Sequence, residues 1–290
     1  MQNVIFGIVT GCTLAIATTG FAMVRQSENF LNIAHAQMMA LGAFIGVSLV
    51  ESHGWNIFIA GLMAVVSVGI IGTVLAGVFF RPVKHQGGTV LLFTSIGLAM
   101  MIYAVNIAFF GNKARSFLSV GFGERRNFAG LNILDYELII VGLTVLTIIF
   151  LQLFLTGTTL GRSVRAVASN DDLARIRGVP VGRVSNTVWF ISSALAALSG
   201  VMIGYQSSVS PELGWRQILF VLAAAVLGGL RSISGVIVAS LLLGIVMDVS
   251  VLYIPSAYRP VVAFGVLVLV LILKPEGILS VQRRKESVAT

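Results

Sequence analysis

The feature that most constrains this chain is a series of long apolar blocks that carry almost no charged side chains. An α-helix rises about 1.5 Å per residue, so about 20 apolar residues cross the roughly 30 Å hydrocarbon layer of a bilayer. With 57% hydrophobic and only 10% charged residues, the composition disfavours a water-soluble domain. We therefore predict an all-α fold, a polytopic transmembrane helical bundle that forms one domain over residues 1–290. Six blocks have the full crossing length: 4–24, 30–50, 55–80, 88–110, 138–156 and 184–204.

The last third of the chain is less regular. It holds apolar runs at 218–230, 236–254 and 261–273, and the second of these is interrupted by Asp248. These runs are either short spans or half-spans that break at Gly228-Gly229 and resume after Gly235, which a membrane protein tolerates where the open backbone is buried. The sequence predicts eight to nine crossings, with broken or short helices in this part.

The distribution of Lys and Arg predicts the orientation, because cytoplasmic loops of membrane proteins are enriched in these residues. With nine crossings, thirteen of the 19 basic residues fall on one side and six on the other. This places the N-terminus outside and the C-terminus in the cytoplasm. Since the basic residues are divided among loops, the net charge of +8 favours contact with anionic membrane lipid over nucleic acid. The external loop 111–137 is either a connector or a docking surface.

Polar side chains inside a span are costly in lipid and usually face protein or water. The second block holds Asn29, Asn32, His35 and Gln37, and the first three are spaced to share one helical face. They either line a translocation path or hydrogen-bond to neighbouring helices. Asp248 is either held near the outer boundary, by water or Arg259, or is a buried functional carboxylate.

The sequence lacks the groups that catalysis or a metal site requires. The histidines His35, His53 and His85 lie in different segments without ligand spacing, and the single Cys12 excludes an intrachain disulfide. The chain also has no phosphate-binding loop of the G-x-x-x-x-G-K-[ST] type. We therefore expect no cofactor, no metal and no catalytic residue, and any use of ATP requires a partner.

The predicted cytoplasmic loop 157–183 carries the clearest functional pattern. Asn170 suits a helix N-cap, and Gly178 followed by Pro180 suits its end. The pattern predicts a short surface helix that presents Leu173 and Ile176 on one face. A helix this short is unstable alone, so it is held either by a protein partner or by lipid headgroups.

Four collinear stretches resemble permease subunits of ATP-binding-cassette importers for branched-chain amino acids, the LivH and LivM family. They read GRSVRAVASNDDLARIRGVPVGRVSNTVWFISSALAALSGVMIG, NFLNIAHAQMMALGAFIG, RPVKHQGGTVLLFTSIGLAMM and AVLGGLRSISGVIVASLLLGIV. The resemblance extends over nearly the whole chain, including the closing LKPEGIL.

This resemblance implies a permease subunit in a prokaryotic cytoplasmic (inner) membrane. The implied partners are cytoplasmic ATP-binding-cassette ATPase subunits, a second LivM-like permease subunit and a periplasmic or extracellular solute-binding protein. The implied cargo is a branched-chain or other neutral amino acid. Urea, short amides or another small polar solute stay open, and an ion-coupled secondary transporter is a further alternative.

The resemblance also implies site residues. The matching segment of LivH-type subunits carries an Asn-x-x-His pattern, which favours a translocation path along Asn29, Asn32, His35 and Gln37. The expected contact with the ATPase lies on the loop helix, with its apolar pair in a groove and its arginines at the rim. Its residues are Asp171, Asp172, Leu173, Arg175, Ile176, Arg177 and Gly178.

Overall fold

A computed structural model describes residues 1–117, 125–128, 131–230, 232–274 and 277–278 of the chain. Over these ranges the backbone forms eleven α-helices. They are α1 (Gln2–Glu28), α2 (Ala34–His53), α3 (Ile57–Leu75), α4 (Gly88–Phe110), α5 (Asp135–Gly157), α6 (Thr159–Ser169), α7 (Asp171–Ile176), α8 (Val181–Gln206), α9 (Leu213–Gly228), α10 (Ile233–Ser250) and α11 (Arg259–Leu273). A π-helical turn, Ala76–Phe80, continues α3.

The predicted helical bundle is confirmed. Eight segments of the described chain are long and apolar enough to cross a membrane, and α9 is a shorter apolar helix of 16 residues. One feature was not predicted: strands β1 (Arg125–Phe128) and β2 (Leu131–Leu134) pair antiparallel just before α5. The helices α6 and α7 connect α5 to α8 and are not among the spanning segments.

The bundle has two chemically distinct ends. The basic end is the one that carries α7, where Lys84 lies 2.8 Å from Glu28 at the end of α1. At the opposite end, the backbone of Arg115 pairs with that of Val209, and the Tyr103 hydroxyl donates to Glu212 over 2.7 Å. Helix α1 therefore begins at the opposite end and finishes at the basic end.

Helices α1, α2 and α8 form the centre of the bundle, where most of their residues are buried. The outer helices α3, α4, α5 and α11 expose long rows of large apolar side chains. In water such surfaces would be unfavourable, but in a bilayer they face hydrocarbon or another subunit.

Small residues let the central helices approach closely. A Cβ placed on Gly200 of α8 would meet the Met39 carbonyl oxygen at 1.9 Å, and one on Gly42 of α2 would meet Ala197 at 2.5 Å. On the other side of the core, a Cβ on Gly244 of α10 would lie 2.4 Å from the Gly11 Cα of α1. Because the hydrophobic effect does not drive helices together in lipid, their association is stabilised by close van der Waals packing at small residues.

The first two helices of the less regular third, α9 and α10, run in opposite directions through the bundle. Helix α9 ends at Gly228, and the Ser232 hydroxyl accepts from the Gly235 N–H over 3.0 Å at the start of α10. Helix α10 then returns to the opposite end, where Asp248 contacts Thr10. This part of the chain therefore holds two separate helices, of which α10 is long and apolar enough to cross a membrane and α9 is shorter.

The close contact of α8 with α2 predicts a large effect of a single methyl group. We expect Gly200→Ala to lower the free energy of unfolding by about 1–3 kcal/mol, because its Cβ would overlap the Met39 backbone. Thermal unfolding in detergent measures this. The control is Gly142→Ala in α5, where a Cβ meets no atom within 4 Å, so its melting temperature should be unchanged or slightly higher. Equal melting temperatures of the two variants would contradict the prediction.

Candidate functional site

The loop helix α7 forms as predicted from its cap residues. The Asn170 side chain accepts a hydrogen bond from the Leu173 N–H over 2.9 Å, which satisfies one free donor of the first turn. Gly178 has φ of 79°, a left-handed conformation that ends the helix and that glycine adopts without strain. Asp171 and Asp172 lie in the first turn, where they complement the helix dipole.

Helix α7 turns one small residue towards the bundle and its aliphatic pair away from it. Ala174 is buried, whereas Leu173 is 52% exposed and Ile176 is 82% exposed. The preceding helix α6 is anchored by Val164 and Val167, which are both buried. The structure thus presents an exposed aliphatic pair next to a packed helix, beside the exposed Arg175.

An ion-pair network joins α7 to the core of the bundle. Lys84 lies 2.8 Å from the Glu28 carboxylate and 3.9 Å from that of Asp171. Glu28 also accepts from the Ser185 hydroxyl at the start of α8. Sequence analysis missed this network, because its four residues lie in separate segments of the chain. Taken singly, each looks like an ordinary polar residue near the end of a helix.

The predicted polar stripe of the second block is not one helical face, which corrects the sequence interpretation. Asn29 is the C-cap of α1, with a left-handed φ of 59°, and its side chain accepts from Arg25. It is exposed, and α2 begins only at Ala34, so Asn29 and Asn32 belong to the turn between the two helices. The left-handed residue ends α1 at this point and breaks the helical spacing that the sequence suggested.

The three remaining polar residues of that block are buried but face different neighbours. The His35 ring lies 2.9 Å from the Ala17 carbonyl of α1 and 3.3 Å from the Ser192 hydroxyl of α8, so it ties three helices together. Gln37 packs against Gly214 of α9. The side-chain amides of Asn32 and Gln37 have no hydrogen-bond partner among the described residues.

Two polar cavities lie at the two ends of the bundle. The basic-end cavity has a volume of about 720 Å³ and lies beside α6, where Arg25, Asn29 and Arg165 line it. The opposite-end cavity has a volume of about 330 Å³ and contains Asp248 and Arg259.

Asp248 lies at the far end of α10 and is held by its neighbours. It is buried and forms an ion pair with Arg259, and it accepts from the Thr10 hydroxyl over 2.6 Å. The structure thus favours the boundary interpretation in which Arg259 satisfies the carboxylate. Across the described ranges, no three His, Cys, Asp or Glu side chains come together as a metal site would require.

The fold and this arrangement define a class of protein: a multi-pass membrane protein that presents a short exposed helix at its basic end. The family model for "Branched-chain amino acid transport system / permease component" matches residues 3–271, and the chain belongs to this family. It is a permease subunit of a transport system.

Named relatives cover almost the whole chain. The LivH permease protein of the high-affinity branched-chain amino acid transport system of Escherichia coli is 28% identical, over 96% of this chain and 95% of its own length. The BraD permease protein of Pseudomonas aeruginosa is 29% identical over the same shares. An L-arabinose permease protein, AraH of Azospirillum brasilense, is 27% identical over 91% of this chain and 77% of its own.

A solved structure shares the fold. PsaBC from Streptococcus pneumoniae in complex with Fab superposes with a TM-score of 0.54, covering 95% of this chain and 92% of that chain. The sequence identity is 16%, so this likeness concerns the helical architecture alone.

The Lys84 network predicts that removal of its ammonium group loosens the basic end. We expect Lys84→Met to lower the free energy of unfolding by about 1–3 kcal/mol, because the Glu28 carboxylate, with 7% of its side chain exposed, loses its charged partner. The matched control is Lys113→Met, which removes an exposed lysine at the opposite end. Thermal unfolding measures both, and a Lys84→Met protein as stable as the control would contradict the role of the network.

Proposed function

We propose that the chain forms half of the translocation path of a binding-protein-dependent ATP-binding-cassette importer for branched-chain or other neutral amino acids. The observation that carries the proposal is the aliphatic pair on α7, Leu173 and Ile176, which is exposed at the basic end outside the spanning helices. The names of the LivH and BraD relatives support the cargo.

The proposed coupling step is a contact between α7 and a cytoplasmic ATPase subunit. Burial of an exposed aliphatic side chain in a protein groove stabilises the contact by about 1.5–3 kcal/mol per residue. Four charged residues and one glycine border that pair: Asp171, Asp172, Arg175, Arg177 and Gly178. The charges would fix the orientation of the helix in the groove, and the glycine keeps the helix short.

Movement of α7 then reaches the spans by two routes. The first is covalent, because α6 and α7 connect α5 directly to α8. The second is the Lys84 network, which joins α7 to Glu28 at the end of α1. Closure of the ATPase dimer would displace these helices together as a packed unit, since packed interfaces shift between discrete arrangements.

The proposed location is a prokaryotic inner membrane, with the N-terminus outside and the basic end in the cytoplasm. The excess of Lys and Arg on one side supports this orientation. The further proposed partners are a second LivM-like permease subunit, which would cover part of the exposed apolar surface, and an external solute-binding protein at the opposite end. The predicted external loop 111–137 begins at that end, where Arg115 pairs with Val209, and its residues 118–124 and 129–130 lie outside the described part.

The path role of Asn29, Asn32, His35 and Gln37 stays a prediction. The buried, unpaired amides of Asn32 and Gln37 support it for these two residues, because such groups are costly unless a ligand or water pairs with them. His35 has two partners already. The second candidate cargo is a different small polar solute. The match to the AraH permease supports this candidate, because that relative is named for L-arabinose.

The α7 contact predicts an uncoupled transporter. We expect Leu173→Asp and Ile176→Asp to insert normally but to lower ATP-driven uptake at least about tenfold, because a charge in the groove costs more than 1.4 kcal/mol of contact energy. Uptake into vesicles that contain the full complex, together with ATP hydrolysis, measures the effect. The control is Leu160→Asp on α6, which places the same charge at an exposed leucine 44% accessible to solvent. Full uptake by both α7 variants would rule out the proposed contact.

The proposed orientation predicts which thiols are labelled from outside the cell. The native Cys12 is buried and should not react with the label. A single introduced cysteine therefore reports the side of the membrane on which it lies. We expect Ile176→Cys to react with a membrane-impermeant maleimide only after the cells are permeabilised. Lys113→Cys should react on intact cells. The reverse pattern would show that the N-terminus is cytoplasmic.

A further inference from the structure

The opposite-end cavity lies between α1, α5, α8, α9 and α10, with Arg259 of α11 at its border. Its volume of about 330 Å³ lies within the range of sites for small ligands. The cavity is separated from the basic-end cavity by residues 15–24 of α1, which are all buried. It is therefore an independent feature of the fold.

One wall of the cavity carries a buried carboxyl group with an unused oxygen. Glu137, in the first turn of α5, is 2% exposed, and its Oε2 accepts from the Leu134 N–H over 3.0 Å. Its Oε1 has no hydrogen-bond partner in the described part of the chain. Burial of a carboxylate oxygen without a hydrogen-bond partner costs free energy. A hydrogen-bond donor that enters the cavity would therefore be stabilised by this atom.

Unused donors line the same cavity. Gln206 Nε2 and Arg259 Nε are buried and lack acceptors among the described residues. The Arg259 guanidinium is already oriented by Asp248, which also accepts from Thr10. The pair holds the guanidinium in place and leaves one of its N–H groups free.

The remaining wall is apolar and comes from helices on opposite sides of the cavity. Val9 and Met247 are buried, and Leu14, Ile203 and Phe220 complete this wall. A ligand that matches all of these groups has an ammonium for Glu137, a carboxylate for Gln206 and Arg259, and a short apolar side chain.

We propose that this cavity binds a small zwitterion, an α-amino acid with an apolar side chain, at the opposite end of the path. The inference rests on the proposed function, since it names where in this chain the solute is received. Recognition by groups of both signs would select a zwitterion over a solute with a single charge. A charge-assisted hydrogen bond contributes about 1.5–3 kcal/mol, so the loss of either group weakens binding about tenfold or more.

Equilibrium binding to the full chain in lipid nanodiscs tests the site without partner subunits or ATP. The probes are L-leucine, 4-methylpentanoate, which lacks the amine, and 3-methylbutylamine, which lacks the carboxylate. We expect saturable binding of L-leucine and binding at least about tenfold weaker for each analogue. Equal binding of the three probes, or no saturable binding of L-leucine, would overturn the proposal and show a hydrated cavity only.

Two variants place the binding in this cavity. Glu137→Gln and Gln206→Leu should each weaken L-leucine binding about tenfold, whereas Glu51→Gln, at the same end but outside the cavity, should leave it unchanged. Thermal unfolding identifies a variant that fails to fold, in which case the other one decides. Unchanged affinity in a folded cavity variant refutes the site.

The outcomes separate this inference from the proposed function. Absence of leucine binding, while the α7 variants still uncouple uptake, refutes only the cavity site. Full uptake by the α7 variants refutes the coupling proposal. The leucine-binding measurement then still tests the cavity site independently.

Discussion

Close backbone packing between α1, α2, α8 and α10 is the interaction on which the rest of the structure depends. In a membrane the hydrophobic effect does not drive helices together, so association relies on dispersion contacts and a few buried hydrogen bonds. Gly200 against the Met39 carbonyl and Gly244 against Gly11 bring backbones into direct contact. His35 adds polar links from α2 to α1 and to α8. These contacts hold the four helices together as the centre of the bundle.

At the basic end, the packed centre of the bundle is connected to the exposed helix α7. Helix α7 is too short to be stable alone, and it is held by its caps, by buried Ala174 and by the Lys84 network. The same network reaches Glu28 and Ser185, at the ends of two central helices. Any displacement of α7 would therefore reach the core through these ionic contacts as well as through the connecting chain.

Between the two polar cavities the bundle is closed. The ten residues 15–24 of α1 are buried without interruption, which corresponds to about 15 Å of packed helix. The cavity at the opposite end contains an unpaired carboxyl oxygen of Glu137 and unpaired N–H groups of Gln206 and Arg259, and the cavity at the basic end is lined by Arg25 and Arg165. Transfer of a solute between them would require the central helices to separate, and their tight glycine contacts make such a change a cooperative rearrangement.

The sequence alone determined the helical class, the position of each long span to within a few residues, and the α7 helix with Asn170 and Gly178 at its ends. These features depend on local quantities, namely the length of apolar runs, the absence of charge and the preferences of cap residues. Only the tertiary structure decided that Asn29 ends α1, that Asp248 pairs with Arg259, and that Lys84 joins α7 to Glu28. It alone placed Glu137 and Gln206 on one cavity. Such contacts join residues far apart in the chain, and their partners depend on how helices pack, which the spacing of residues along one helix does not specify.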